Sequence, residues 1–452
     1  MRHAWHRALA LALALALASP LGLAAPAPRR PPLQLAYLKT HKTGSSTIAT
    51  VLRRLGINRG LAVTSAYGAN QPVLRAGQAR PVRGVYRVGV YQARRPGQQP
   101  IETNFGAPWD VWREHVLFPD GLASARTAVP GAPYVLTSVR EPRARFRSGF
   151  RFRFYSLGRC PRDRAAMSQR GTRRVCYGNT THPMDSPDDI CRTVKPEGLE
   201  AFACARQAAI TVESLNTMAH EIAGLKGGAH AKAHCEAKDP ARRRVTPSPV
   251  FLERLADIRR TDWEASEWRI LLMERMDESL ALLSLDEGLE PDEVAYMSQN
   301  IAGKKEDDAR DDDAAELLDQ CWKKLLVLDH MLYAAAMEQF ERRIAAAGAE
   351  RVARRAEEVR QATAKWARTC GMLDGTSNAT GLEADPASSV LFQCWLMKVD
   401  TMNFYRVMYM LIGHGVALAR DEIARALLPS IARCPFETMK RCVMQSLKSA
   451  WR

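Results

Sequence analysis

Nine consecutive residues, Lys39-Thr-His-Lys-Thr-Gly-Ser-Ser-Thr47, hold two ammonium groups, an imidazole, five hydroxyls and one glycine. The chemistry such a set offers is anion capture. Lys42 brings a full positive charge, and Thr43, Ser45, Ser46 and Thr47 bring donors. Gly44 lets the backbone turn tightly enough to aim several N–H groups at one point. Phosphate is the natural occupant. Further along the chain, Arg140-Glu-Pro-Arg-Ala-Arg-Phe-Arg-Ser148 offers a second grip. Ser148 lies eight positions beyond Arg140, about two turns on if the stretch is helical. The guanidinium fork of Arg140 and the Ser148 hydroxyl are then able to hold one phosphate together, with Arg145 between them.

Both groups need a strand and a helix to position them. Before the first stands the apolar run Leu35-Ala-Tyr-Leu38, and after it come Ile48, Ala49, Val51 and Leu52. The order predicts a buried strand, a tight polar loop and the first turn of a helix, whose N-terminus adds partial positive charge. Before the second stands Tyr134-Val-Leu-Thr-Ser-Val139, and Pro142 suits a first helical turn. The first loop is not a Walker A loop, which places its lysine after a second glycine; Lys42 precedes the single glycine. Strands alternating with helices from 33 to 285 predict an α/β domain with a parallel sheet, the class in which nucleotides bind at strand ends.

The spelling Lys-Thr-His-Lys-Thr-Gly-Ser-Ser-Thr over 39–47 resembles the 5′-phosphosulfate loop of the galactose 3-O-sulfotransferase family. These Golgi enzymes include galactosylceramide sulfotransferase and use 3′-phosphoadenosine 5′-phosphosulfate (PAPS). Arg140-Glu-Pro followed by Arg145 and Ser148 resembles the 3′-phosphate element of PAPS-dependent sulfotransferases. Weaker likenesses follow in Trp268–Leu283 with its Asp277-Glu-Ser-Leu280, in Tyr296-Met-Ser-Gln-Asn300, and in Asp329-His-Met-Leu-Tyr333. The resemblance spans roughly 33 to 345 in patches. It implies a P-loop-like three-layer sulfotransferase fold with a central parallel sheet. It implies that Lys42 neutralises the leaving group, that Lys39, Thr43, Gly44, Ser45, Ser46 and Thr47 hold the 5′-phosphate, and that Arg140, Arg145 and Ser148 hold the 3′-phosphate. No metal is required.

Sulfuryl transfer also needs a base for the acceptor hydroxyl. The family carries Asn-His at the end of the strand between the two phosphate motifs, and the nearest counterpart is Asn104-Phe105, without the histidine. A second family histidine, just after the 3′-phosphate serine, is replaced by Gly149-Phe150-Arg151. His115, Glu102 and His41 are the replacement candidates. His115 is assigned as the base, on a short helix expected over Trp112-Arg-Glu-His-Val116.

The chain has 452 residues, 46% of them hydrophobic, with a net charge of +16. That is room for one large domain plus an appendage, and the charge suits an anionic partner. Nucleic acid is the rival, but the sequence holds no zinc-finger spacing, RNP-like aromatic motif or basic zipper. Arg2, His3, His6 and Arg7 precede an Ala/Leu run from Ala8 to Ala18, and small residues follow to Ala25. This reads as a cleaved signal peptide or, taken through to Ala25, a short signal anchor. Ten cysteines without a Cys-x-x-Cys pair suit disulfides in an oxidising lumen, with Cys160–Cys176 and Cys434–Cys442 as local partners. Asn179-Thr-Thr and Asn378-Ala-Thr are glycosylation sequons.

The expected organisation is a signal segment and Pro/Arg stem over 1–32, a sulfotransferase domain over 33–347 and a helical, Cys-containing extension over 348–452. The leading reading is a Golgi-membrane enzyme with a lumenal catalytic domain and a glycan or glycolipid acceptor. A noncatalytic nucleotide- or glycan-binding relative and a secreted glycan-binding protein are the alternatives.

Overall fold

The computed structural model describes residues 33–59, 61, 63–66, 89–91, 111–114, 129, 131–156, 215–223, 245–297, 312–371, 390–399, 407, 420–431, 434 and 439–450. Six strands pair into one sheet: β1 (Leu35–Leu38), β2 (Val63–Ala66), β3 (Gly89–Tyr91), β4 (Val111–Glu114), β5 (Val135–Val139) and β6 (Trp268–Leu272), in the order β3-β2-β4-β1-β5-β6. All five neighbouring pairs are parallel. Every residue of β1, β5 and β6 is buried, as expected of central parallel strands written in continuous apolar runs.

The helices are α1 (Ser45–Arg59), α2 (Pro142–Ser156), α3 (Thr217–Ile222), α4 (Pro249–Ile258), α5 (Met276–Glu287), α6 (Pro291–Val294), α7 (Asp312–Leu325), α8 (Val327–Ala347), α9 (Ala349–Gly371), α10 (Val390–Lys398), α11 (Arg420–Ile431) and α12 (Met439–Ala450). One core runs from β1, β5 and β6 into α3, α4, α5, α8 and α9 and includes Trp268, Ile270, Leu282, Leu332 and Phe340. Residues 312–371 fold as three helices, broken at Leu326 and at Gly348, whose φ is +86°. α5 starts at Met276, and Ser279 Oγ clamps both the N–H and the C=O of Leu272, closing β6.

Val111–Glu114 corrects one expectation, since it is a strand and not part of a short helix. A β-branched residue followed by tryptophan suits a pleated surface, and four residues are too few for helical and strand periods to separate. Asn104-Phe105, taken as the counterpart of the family's strand end, lies outside the described residues. The strand beside β1 ends at Glu114, which sits in register with Leu38. The next residue in the chain is His115, itself outside the described residues.

Parallel pairing puts the C-terminal ends of β4, β1, β5 and β6 on one edge of the sheet. From β1 the chain first steps to β2 on one side and later crosses to β5 on the other. The tip of β1 therefore lies where the strand order reverses, the place at which open α/β sheets form a crevice.

The C-terminal helices pack onto this frame. α9 lies along α5, and α10 lies against α1. Two fully buried arginines of α1 make the join. Arg53 Nη2 donates to the carbonyls of Leu396 (3.2 Å) and Val399 (2.7 Å), and Arg54 Nη2 to those of Asp292, Glu293 and Ala295 at 2.6–2.8 Å. Each guanidinium thus caps carbonyls at the C-terminal end of a helix. Burial pulls the Arg54 guanidinium down to about 10. Disulfides join Cys370 to Cys394 and Cys434 to Cys442, the latter as expected, and Cys321 is also disulfide-bonded. Cys160 and Cys176 lie outside the described residues. Among the described residues no helix is long and apolar enough to cross a membrane; the Ala8–Ala25 segment is not among them.

Candidate functional site

The loop between β1 and α1 turns on two left-handed residues, Lys42 (φ 65°) and Gly44 (φ 70°). Left-handed backbone is natural for glycine and uncommon for lysine, so the surroundings must hold Lys42 there. They do so with hydroxyls. Thr43 Oγ1 bonds to Thr40 Oγ1 at 2.7 Å and to Ser138 Oγ at 2.9 Å, Thr40 Oγ1 donates to the Ser138 carbonyl, and Tyr37 OH reaches Ser138 Oγ at 2.9 Å. Ser138 lies in β5, two residues before Arg140. The network therefore ties the tips of the two strands that carry the two phosphate motifs.

This places the sequence-predicted residues unequally. The Thr43 side chain is fully buried and committed to the network, and Ser45 and Thr47 are 4% exposed. Among the predicted 5′-phosphate hydroxyls, Ser46 is half-buried and Ser45 and Thr47 face inward. The N–H of Thr47 is taken by the Gly44 carbonyl at 2.9 Å. The N–H groups of Ser45 and Ser46 open the helix, where donors have no acceptor one turn back. A Cβ on Gly44 would come within 2.0 Å of Met273 Sδ, just past the end of β6.

At the tip of β5, Arg140 donates its backbone N–H to Met218 Sδ (3.4 Å), and its Nε lies 3.9 Å from Glu274 Oε1. Glu141 caps α2, its carboxylate accepting the N–H groups of Arg143 (2.9 Å) and Ala144 (2.6 Å). The N-terminus of α2 is thus already satisfied by a carboxylate, leaving an anion there to the Arg140 side chain and to Ser148, which is half-buried. Arg145 is elsewhere. It is 0% exposed and lies 3.7 Å from the equally buried Asp329 of α8. Its charge serves an internal ion pair with that carboxylate.

Lys39 and Lys42 are half-buried, and the surface of the site is cationic. Burial first, then Arg140, then Lys39, pull the Lys42 ammonium down to about 8. Lys42 therefore feels charge from both strand tips, which brings the two predicted phosphate grips into one electrostatic neighbourhood. Such a cluster costs free energy until an anion neutralises it.

A bound anion raises Lys42 toward its ordinary value of 10.5, so at pH 8 binding draws in up to roughly half a proton, whereas at pH 6 Lys42 is already charged and takes up none. Calorimetry of 3′-phosphoadenosine 5′-phosphate (PAP) binding in buffers of different ionisation enthalpy measures this, and Lys42→Met abolishes the pH 8 uptake.

Sequence reasoning missed Ser138, Tyr37, Glu221 and Glu274. Glu221 Oε2 accepts the His41 N–H at 2.8 Å, and its Oε1 meets His41 Nδ1. Ser138 falls within the strand that the motif follows, so the motif's spacing was its one signal. Glu221 and Glu274 sit in stretches with no motif of their own. Among the described residues no group of His, Cys, Asp and Glu is gathered to hold a metal.

Comparison with known proteins gives partial likenesses. The chain is 31% identical to galactose-3-O-sulfotransferase 4 of Bos taurus over 155 residues, 34% of this chain and 26% of that protein. It is 32% identical to galactose-3-O-sulfotransferase 4 of Homo sapiens over 128 residues, 28% of this chain and 23% of that one. The chain therefore matches about a quarter of the length of these relatives. No family model matches it, and no solved structure matches it.

Proposed function

We propose that this protein is a PAPS-dependent carbohydrate sulfotransferase, built on the three-layer sulfotransferase arrangement and acting on a hydroxyl of a galactose-type sugar carried by glycolipid or glycoprotein. The observation that carries the reading is the joining of two phosphate motifs. The Lys39–Thr47 loop and the Arg140 strand tip are stitched through Thr43 and Ser138 and share one cationic field. The partial identity to galactose-3-O-sulfotransferase 4 supports the same reading. The donor set fits PAPS: a helix N-terminus with Lys42 for the phosphosulfate, and a separate arginine with a hydroxyl for a second phosphate.

In this reading the N–H groups of Ser45 and Ser46 and the Lys39 ammonium bind the 5′-phosphate. Lys42 faces the oxygen that leaves sulfur and neutralises the charge growing on it, which is where positioned cations act in such transfers. Arg140 and Ser148 hold the 3′-phosphate and so select PAPS over commoner adenylates. His115 follows the last residue of β4, beside β1, and takes the proton of the attacking hydroxyl. Because β4 ends at Glu114, the next residue in the chain offers the histidine that Asn104-Phe105 lacks. Disulfides over 370–442 suit an oxidising compartment, and with the N-terminal Ala/Leu run they support a Golgi-lumenal enzyme, tethered by that run or secreted.

The test is transfer of labelled sulfate from PAPS to a panel of glycans and glycolipids by the full chain, alongside PAP binding. Transfer to a galactose-bearing acceptor is expected. PAP binding without transfer to any acceptor would reduce the protein to a nucleotide-binding relative, and no PAP binding would end the assignment. His115→Ala is expected to lower kcat at least about 10²-fold while PAP affinity stays within about twofold.

A further inference from the structure

We infer that Glu221 is a positioning residue for the 5′-phosphate loop, acting through His41; the inference rests on the nucleotide reading above. Glu221 holds the loop at two atoms of one residue, the His41 backbone N–H and the His41 ring. The residue it holds is immediately followed by Lys42, the lysine in the left-handed conformation. Two bonds to a carboxylate fix the plane of the peptide that enters this turn. They thereby set the direction of the Lys42 side chain and of the N–H groups beyond it.

The carboxylate is itself fixed from behind. α3, which carries Glu221, follows Asn216, whose side-chain carbonyl accepts the N–H groups of Leu328 (3.0 Å) and Asp329 (3.1 Å) and whose amide donates to the Leu325 carbonyl (3.2 Å). Asp329 returns the contact by accepting the Ala219 N–H at 2.9 Å. α3 is therefore clamped to the start of α8, and Glu221 sits at its far end as a rigid post for the loop. At 9% side-chain exposure it touches the loop from inside the domain.

Glu221 has a different reach from Arg140. Met218, on the same short helix, meets the Arg140 N–H, but Glu221 meets only the first loop among the contacts described. A positioning role there predicts loss for ligands that carry a 5′-phosphate and none for a ligand that lacks one. A general structural role weakens all ligands alike.

The test is calorimetric titration of the full chain with PAP, 5′-AMP and 3′-AMP. Glu221→Gln keeps the shape and removes the charge, and it is expected to weaken PAP and 5′-AMP on the order of tenfold while 3′-AMP stays within about twofold. His41→Ala keeps the backbone N–H contact and loses the ring contact, so the same pattern is expected at smaller size; it decides the matter if Glu221→Gln does not fold. Equal loss for all three ligands, or no loss for any, overturns the positioning role while leaving the nucleotide reading in place. A wild-type chain that does not bind PAP overturns both.

Discussion

Replacing Lys42 with alanine is expected to lower the proposed sulfuryl transfer by about 10³-fold, the scale lost when one preorganised group at a developing charge is removed. The loss falls on kcat, and the fold survives it. In the ligand-free protein Lys42 is crowded by Arg140 and Lys39, so its removal relieves repulsion and leaves the melting temperature unchanged or slightly raised. PAP, which carries the leaving phosphate, binds more weakly. Lys42→Arg restores charge but not a compact point charge on a flexible stem, and recovers only part of the rate. Rates of labelled sulfate transfer beside thermal denaturation check the prediction. A Lys42→Ala protein within tenfold of the wild-type rate would remove the lysine from the reaction.

The second large effect is on stability. Arg145→Met leaves Asp329 buried without the cation it faces, and removal of one member of a buried pair costs roughly 3–5 kcal/mol. The sign of the pH dependence is fixed by Asp329. Burial raises its carboxyl from an ordinary 3.8 to about 6, against the pull of Arg145. The folded chain therefore holds a proton there that the unfolded chain releases, and this contribution, full below pH 3.8, is lost as pH rises through about 6. Without Arg145 the carboxyl rises further, so the destabilisation is greatest above neutrality and shrinks toward pH 5, where Asp329 is protonated. Adding Asp329→Asn removes the stranded charge and keeps the acceptor for the Ala219 N–H. The double variant is then more stable than Arg145→Met at pH 7.5, and urea denaturation at both pH values measures the cycle. Equal losses at pH 5 and 7.5 would show that Asp329 is not the source.

The two strand–loop–helix units were legible because their signal is local. Leu35–Leu38 and Tyr134–Val139 are apolar runs that stop at charged residues, and the sheet pairs both as buried parallel strands. The orientation of Arg145 was not legible. The helix has arginines at 143, 145, 147, 151 and 153 flanking its Phe146, Phe150 and Phe154 spacing on both sides, and only the tertiary partner Asp329 fixes which arginine turns inward. Val111–Glu114 was misread because four residues do not distinguish periods, and the error moved the strand end that precedes His115. Glu221 was out of reach for another reason: it meets His41 across 180 positions of sequence, and neither residue's neighbours encode the other.

The buried Arg53 and Arg54 side chains donate to backbone oxygens of the segment ending α10 and of α6 and the residue after it. Substitutions along those stretches therefore leave these main-chain bonds in place, provided the main chain keeps its path, while Glu293 with Arg59 and Gln393 with Asn58 add side-chain joins to the same helix, α1. Insertions and deletions are another matter, since shifting the register by one residue would leave two enclosed guanidinium groups facing the wrong atoms. The tail is thus bound in length more tightly than in composition, and its spacing should outlast its spelling as the protein diverges.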